Sequence, residues 1–210
     1  MRSDARRNRA SLLNAARDVF VEQGATASLE EIARRAEVSI ATLYRHFPDR
    51  AALMRAVVLR ALTDTAEAAE QAQRDHHDPI EALAAYVHAV LDLRTSVVIP
   101  TLLDRLDLND PEINEPRMRS TELVEGLLHT AQAQGTLRTG VTFGDIALLL
   151  VRLSRPLPGS IPPDIQQQLD HRHADVMLAG LRATPSVGAL PGPELELRDL
   201  QHLQQPGLGR

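Results

Sequence analysis

Two helix-start signals eleven residues apart, with a tight turn between them and a proline behind, constrain this chain more than any other feature. Ser28 can cap the N-terminus of a helix, and Glu31, three residues on, completes a capping box. A short helix is therefore expected over 29–36, with Leu29, Ile32, Ala33 and Ala36 on one face. Glu37-Val38 leaves room only for a turn. Ser39 caps a second short helix running to about Phe47, and Pro48 stops it, since proline has no N–H and its ring cannot continue the hydrogen-bond ladder. Ahead of the pair, 4–23 reads as a helix whose Leu12, Leu13, Ala16, Val19 and Phe20 recur at three and four residues, and Gly24 stands where a left-handed cap belongs. Two short helices across a tight turn, with a third packed behind, make a helix-turn-helix.

The second helix of such a pair enters the major groove of DNA with its N-terminal part towards the base edges. Here it opens Ser39-Ile40-Ala41-Thr42, small side chains that allow a close approach. Leu43 and Phe47, four apart, should anchor it to the core. Ser39, Ile40, Thr42, Tyr44, Arg45 and His46 are then left wholly or partly outward. Tyr, Arg and His can donate to phosphate, and Arg can grip guanine through two hydrogen bonds.

The rest of the chain is helix after helix, with no sustained apolar–polar alternation and no fixed-period repeat. Asp49 caps a long helix to about residue 74, and His76-His77-Asp78-Pro79 breaks it. A fifth helix carries Ile80, Leu83, Ala84, Val87, Val90 and Leu91. Pro100, Pro111 and Pro116 interrupt the next stretch, where a short helix is expected over 101–106 and another over 117–134, closed by Gly135. The segment 142–153 is the most apolar, 162–182 forms the last helix, and 184–210, rich in Pro, Gly and Leu without period, reads as a disordered tail. The expected fold class is all-α.

Charge divides the chain. Residues 1–60 hold 11 arginines against 7 acidic residues; the remainder holds 12 against 21. A basic first quarter on an acidic body suits a nucleic-acid-binding module on a non-binding one. All 23 basic residues are Arg, so an arginine at any one place says little about a need for guanidinium. There is no cysteine, which removes disulfides, thiol catalysis and zinc–cysteine sites. The longest apolar run, 146–151, is too short to span a bilayer, and the N-terminus lacks the apolar core of a secretory signal, so a soluble cytoplasmic protein without membrane partners is expected. His76-His77 and His171-x-His173 lack the spacing of a helical metal pair, and no phosphate loop, nucleophile elbow or dinucleotide turn is present. No metal, cofactor or catalysis is expected.

Residues 24–53, with Ile32-Ala33, Val38-Ser39, Thr42-Leu43-Tyr44, His46-Phe47 and Leu53 at their spacing, closely resemble the N-terminal domain of TetR-family regulators. The stretch Leu137-Arg-Thr-Gly-Val-Thr with Arg155-Pro-Leu-Pro-Gly is similar to a C-terminal domain of some members. Two departures stand out. The turn residue that is often Gly is Glu37, and the usual Lys opening the fourth helix is Arg50.

The resemblance implies a three-helix DNA-binding domain over 1–48 and a helical ligand-binding and dimerisation domain over 49–183. It implies phosphate contacts from Thr26 and Ser28, base reading by Ile40, Ala41, Thr42 and Arg45, and backbone contacts from Tyr44, His46 and Arg50. Arg2, Arg6, Arg7 and Arg9 would form an arm at the minor groove or the phosphates. A homodimer would pair the helices over 143–155 and 162–181, through Ile146, Leu149, Leu150 and Leu153 on one and Leu169, Val176, Met177 and Leu181 on the other. An unknown small-molecule effector would bind among Tyr86, Val90, Leu102 and Leu103, with Leu123, Leu127 and His129. The implied role is a ligand-responsive repressor on a palindromic, double-stranded operator. The alternative is a basic helical protein that binds DNA without sequence preference.

Overall fold

The computed structural model describes residues 2–103, 105–107, 110–155, 157, 159, 161–183, 190 and 192–195. Among these the regular elements are α1 (Arg2–Gln23), α2 (Leu29–Arg35), α3 (Ile40–His46), α4 (Arg50–Asp75), α5 (Pro79–Leu93), α6 (Thr95–Leu103), α7 (Pro111–Ala133), α8 (Phe143–Leu153) and α9 (Pro163–Leu181). The class is all-α, with one isolated bridge between Leu137 and Arg182 that clips the loop after α7 to the end of α9. Among the described residues, no single helix is long and apolar enough to cross a membrane.

Capping sets most helix starts. Ser28, Ser39, Asp49, Asp78, Asp110 and Thr142 each accept a backbone N–H of the first turn. That satisfies donors which have no partner inside a helix.

Two helices begin earlier than their prolines suggested. The short helix expected over 101–106 is α6, starting at Thr95 and holding Pro100 inside. The helix expected from Arg117 is α7, starting at Pro111 and holding Pro116 inside. Each inner proline stands six residues into its helix, so it removes a hydrogen bond only to a first-turn carbonyl. The stronger signal at α7 is Asp110 as cap with Pro111 in the first turn, where its missing N–H costs nothing. Arg55 of α4 pairs with both Asp110 and Glu112, holding the start of α7 and keeping the Asp110 carboxyl below its usual range.

Two apolar cores run along α4. The first joins α1, α2 and α3 to α4 through Phe20, Ile32, Leu43, Phe47 and Leu53, and it extends to Val98 and Leu102 of α6 and Ile113 of α7. The second packs α5, α7, α8 and α9 through Leu83, Val87, Leu128, Ile146 and Leu178. Helix α6 touches α1, α4 and α8, so it bridges the two cores.

Most of the tail expected to be disordered from 184 lies outside the described residues. The described stretch 192–195 lies against the start of α8, where the Leu195 carbonyl accepts from the Gly144 N–H at 3.1 Å and the Thr142 hydroxyl at 3.0 Å. A Cβ on Gly144 would sit 2.0 Å from that carbonyl oxygen. Gly144→Ala should therefore detach this segment, losing two hydrogen bonds at a cost of about 1 kcal/mol. Faster cleavage after residue 183 in limited proteolysis is the expected readout, and an unchanged digest would contradict the contact.

Candidate nucleic-acid interface

Helices α2 and α3 are joined through Glu37, whose φ of 57° is left-handed. The bend is closed by the Val38 N–H donating to the Ala33 carbonyl at 3.0 Å. A non-glycine residue in this conformation costs about 1 kcal/mol. Glu37→Gly is expected to raise unfolding stability by about 0.5–1 kcal/mol in a denaturant titration, since the glycine meets no strain there. A loss of stability would contradict the strain.

Leu43 and Phe47 are buried at 0% and 2% exposure and fasten α3 to the first core. The opposite face is open: Ser39, Ala41, Tyr44 and Arg45 are exposed, Tyr44 at 48%, while Ile40 and Thr42 are half-buried. The Ser39 hydroxyl oxygen accepts from the Thr42 N–H at 3.1 Å and lies 3.0 Å from the Thr42 hydroxyl. The start of the helix is thus fixed where it would meet a base edge. Thr26 and Ser28 are exposed ahead of α2. Ser28 also donates to Glu30 at 2.7 Å, and this bond holds the Glu30 carboxyl below its usual range.

Several residues expected at phosphates are partly engaged within the chain. The Arg50 guanidinium donates to the Ala25 carbonyl at 3.2 Å and the Ala27 carbonyl at 2.5 Å, so it clamps the loop before α2. Its remaining N–H groups are the part available to an anion. His46 is half-buried with Nε2 inside and without a hydrogen bond among the described residues. A phosphate could meet it only through Nδ1. The N-terminal arginines form no extended arm: residues 2–23 are helical, Arg7 pairs with Asp4 at 2.5 Å, and Arg9 lies over the Phe47 ring at 5.1 Å. Arg6 is exposed on the same helix, and the side chain of Arg2 lies outside the described residues.

A cavity of about 140 Å³ lies among α4, α5, α6, α7 and α8. Tyr86 and Val90, expected in a pocket, line it. Other expected lining residues do not. Leu102 belongs to the first core at 0% exposure, Leu127 and Leu123 pack in and against the second, and His129 is exposed. The side chain of Leu103 is outside the described residues. Sequence reasoning missed Thr65, Thr95, Ser96, Arg117, Ser120 and Thr121, all lining the cavity. The signal was present in α7, where Arg117, Ser120 and Thr121 occupy core positions between Ile113 and Val124, a polar break in an apolar stripe.

The surface expected to pair two copies also differs in part. Ile146 and Leu150 are buried at 1% and 3%, and Leu181 at 9%, so these three pack inside the chain. The all-round apolar character of α8 comes from packing inward against α6, α7 and α9 while walling the cavity. Leu153 and Met177 are half-buried against the second core, and Leu149 and Leu169 are half-buried. Val176 stands out at 65% exposure, with Ile165 on the same helix at 42%.

Residues 12–57 match the family model for bacterial regulatory proteins of the tetR family, and residues 78–183 match that for the C-terminal domain of SbtR-like transcriptional regulators. The chain is 31% identical over 149 residues to the transcriptional repressor BepR of Brucella suis, covering 65% of this chain and 71% of that protein. It is 27% identical over 163 residues to the transcriptional regulator UidR of Escherichia coli, covering 73% of this chain and 81% of that one. The fold is also similar to the crystal structure of a TetR transcription regulatory protein from Mycobacterium vanbaalenii. There the TM-score is 0.60, the identity 30%, and the coverage 87% of this chain and 99% of that one.

Proposed function

Because the chain belongs to the TetR family of bacterial regulatory proteins, whose members bind DNA, we propose that it is a ligand-responsive transcriptional repressor working as a dimer on a palindromic operator. The observation that carries this reading is the presentation of α3. Leu43 and Phe47 hold one face in the core, and Ala41, Tyr44 and Arg45 leave the other open to the width of a major groove. Residues 1–48 are assigned to DNA binding and 49–183 to sensing and dimerisation. The relatives are transcriptional regulators, and no catalytic step is assigned to this chain. The cytoplasm, where DNA is accessible, is the proposed compartment.

The route from effector to DNA follows the packing. Helix α4 contributes Leu62 and Thr65 to the cavity and Leu53 and Val57 to the core behind α3. Helix α6 contributes Thr95, Ser96 and Ile99 to the cavity, and it also touches α1. An occupant that displaces α6 against α4 tilts both copies of α3 relative to each other, so they no longer fit successive major grooves. A coupling of about 1–3 kcal/mol is enough for release.

Tyr44→Ala and Arg45→Ala should each weaken operator binding by roughly tenfold to a hundredfold at fixed salt, with unchanged melting. Fluorescence anisotropy on labelled operator measures this. If both variants fold and bind as tightly as the parent, α3 is not the reading element.

A further inference from the structure

Between α5 and α9 runs a chain of four titratable side chains that has no part in presenting α3 or lining the cavity. The Asp175 carboxylate is 2.9 Å from Nε2 of His88, and Nδ1 of His88 is 2.7 Å from Nδ1 of His171. Nε2 of His171 is in turn 2.9 Å from the Asp92 carboxylate. The two imidazole rings are stacked, with centroids 5.0 Å apart and planes 17° from parallel. His88 and Asp92 stand on α5, His171 and Asp175 on α9, so all three contacts cross from one helix to the other. Both rings are half-buried. The same two helices are tied by Gln167 donating to Asp92 at 2.9 Å and by the Arg182–Glu81 pair at 2.6 Å.

These contacts fix how many protons the ring pair can hold. An ionised carboxylate only accepts, so each Nε2 that faces one must carry its proton. Nδ1 faces Nδ1, and that contact is a hydrogen bond only if one of the two nitrogens donates. Three protons on four ring nitrogens make one neutral imidazole and one imidazolium. With two protons, either the Nδ1 lone pairs oppose each other or one Nε2 turns a lone pair to a carboxylate. With four, two N–H groups and two positive charges oppose each other. Only the singly charged pair satisfies every contact.

The charged neighbours of the pair lie on its own two helices and at the end of α5. Burial holds the Asp170 carboxyl above its usual range, against the Gln166 amide and the charges of His173, His171 and Arg94. Arg94 caps the C-terminus of α5. Among the described residues, no ionisable side chain of α4, α6, α7 or α8 makes a hydrogen bond or ion pair with either ring.

We propose that His88 and His171 share one proton in a pH-sensitive latch between α5 and α9, closed by the carboxylates of Asp175 and Asp92 and opened either by a second proton or by loss of the shared one. Helix α5 presents Tyr86 and Val90 to the cavity, and α9 carries the exposed Val176. The latch thus ties the proton count of the pair to the packing of a cavity wall against an outer helix. It stands whatever the cavity binds.

Imidazole is the side chain whose charge changes between about pH 5 and 8, so a double-mutant cycle is run across and just beyond that range. The full chain, His88→Ala, His171→Ala and the double variant are unfolded in urea at one protein concentration. The coupling between the two positions is expected to reach about fivefold to tenfold in the unfolding equilibrium constant at an intermediate pH, and to decline on both sides of it. A coupling that does not change with pH would mean that the rings only stack, and would overturn the latch. A coupling that grows steadily to the alkaline end would mean two neutral rings, and one that grows steadily to the acid end two imidazoliums; either would overturn the shared proton. Should the double variant fail to fold, proton NMR of the full chain decides. A downfield imidazole N–H resonance that is lost in both single variants is expected, and its absence from the parent at every pH would contradict the proposal.

Discussion

Val176→Glu is expected to leave the protein monomeric and to weaken its grip on a palindromic operator by about 10²–10⁴-fold. Val176 is 65% exposed on α9, and Ile165 stands eleven residues before it on the same face at 42%. The other side of α9 is occupied, through Ala174, Leu178 and Leu181 in the second core. A two-fold interface built on this face brings each Val176 close to its own copy or to Ile165 of the other. A carboxylate there is desolvated without a partner, and two like charges oppose each other across the dyad. The loss on DNA follows from geometry. One α3 meets only a few base pairs, and the second contact of a dimer costs no further encounter from solution. Sedimentation equilibrium and operator anisotropy on the same sample measure both effects. A variant that stays dimeric and binds as the parent does would show that another face makes the dimer.

Phe47→Ala is expected to cost about 3–5 kcal/mol of unfolding free energy, the range for removing a buried aromatic side chain. Phe47 is 2% exposed, shares the first core with Leu43 and Leu53, and has the Arg9 guanidinium 5.1 Å from its ring. Its removal leaves a void beneath α3 and frees the start of α1 at once. Phe47→Leu, which fills part of the void, should restore part of the loss. The contrast with Tyr44→Ala is the informative part, since that residue lies three positions earlier on the open face. One variant should lose stability and the other only DNA affinity. Denaturant unfolding monitored by circular dichroism compares them, and equal stability losses would mean that α3 is turned the other way.

The N-terminal domain was legible in the sequence because its signals are local. Ser28, Ser39 and Asp49 act on N–H groups three residues away, and Pro48 acts on its own helix. The cavity was legible only in part, because its walls come from five helices whose register against one another no short window encodes. Apolar spacing alone could not tell Leu102, which fills the first core, from Val90, which lines the cavity. The expected interface residues divide for a related reason. Ile146 and Val176 are both apolar on late helices, but one is covered by its own chain and the other is not. Arg50 shows a further limit: a guanidinium near a helix start suggests phosphate, and only the fold reveals the Ala25 and Ala27 carbonyls within its reach.

The central claim is that two copies of α3 read duplex DNA together, and selection of bound fragments from random DNA by the purified full chain tests it most directly. The account predicts an inverted repeat whose half-site centres lie about one helical turn, roughly 10 base pairs, apart. Recovery of fragments with no shared sequence, bound equally well and lost steeply with added salt, would contradict it and identify a protein that grips only the phosphate backbone.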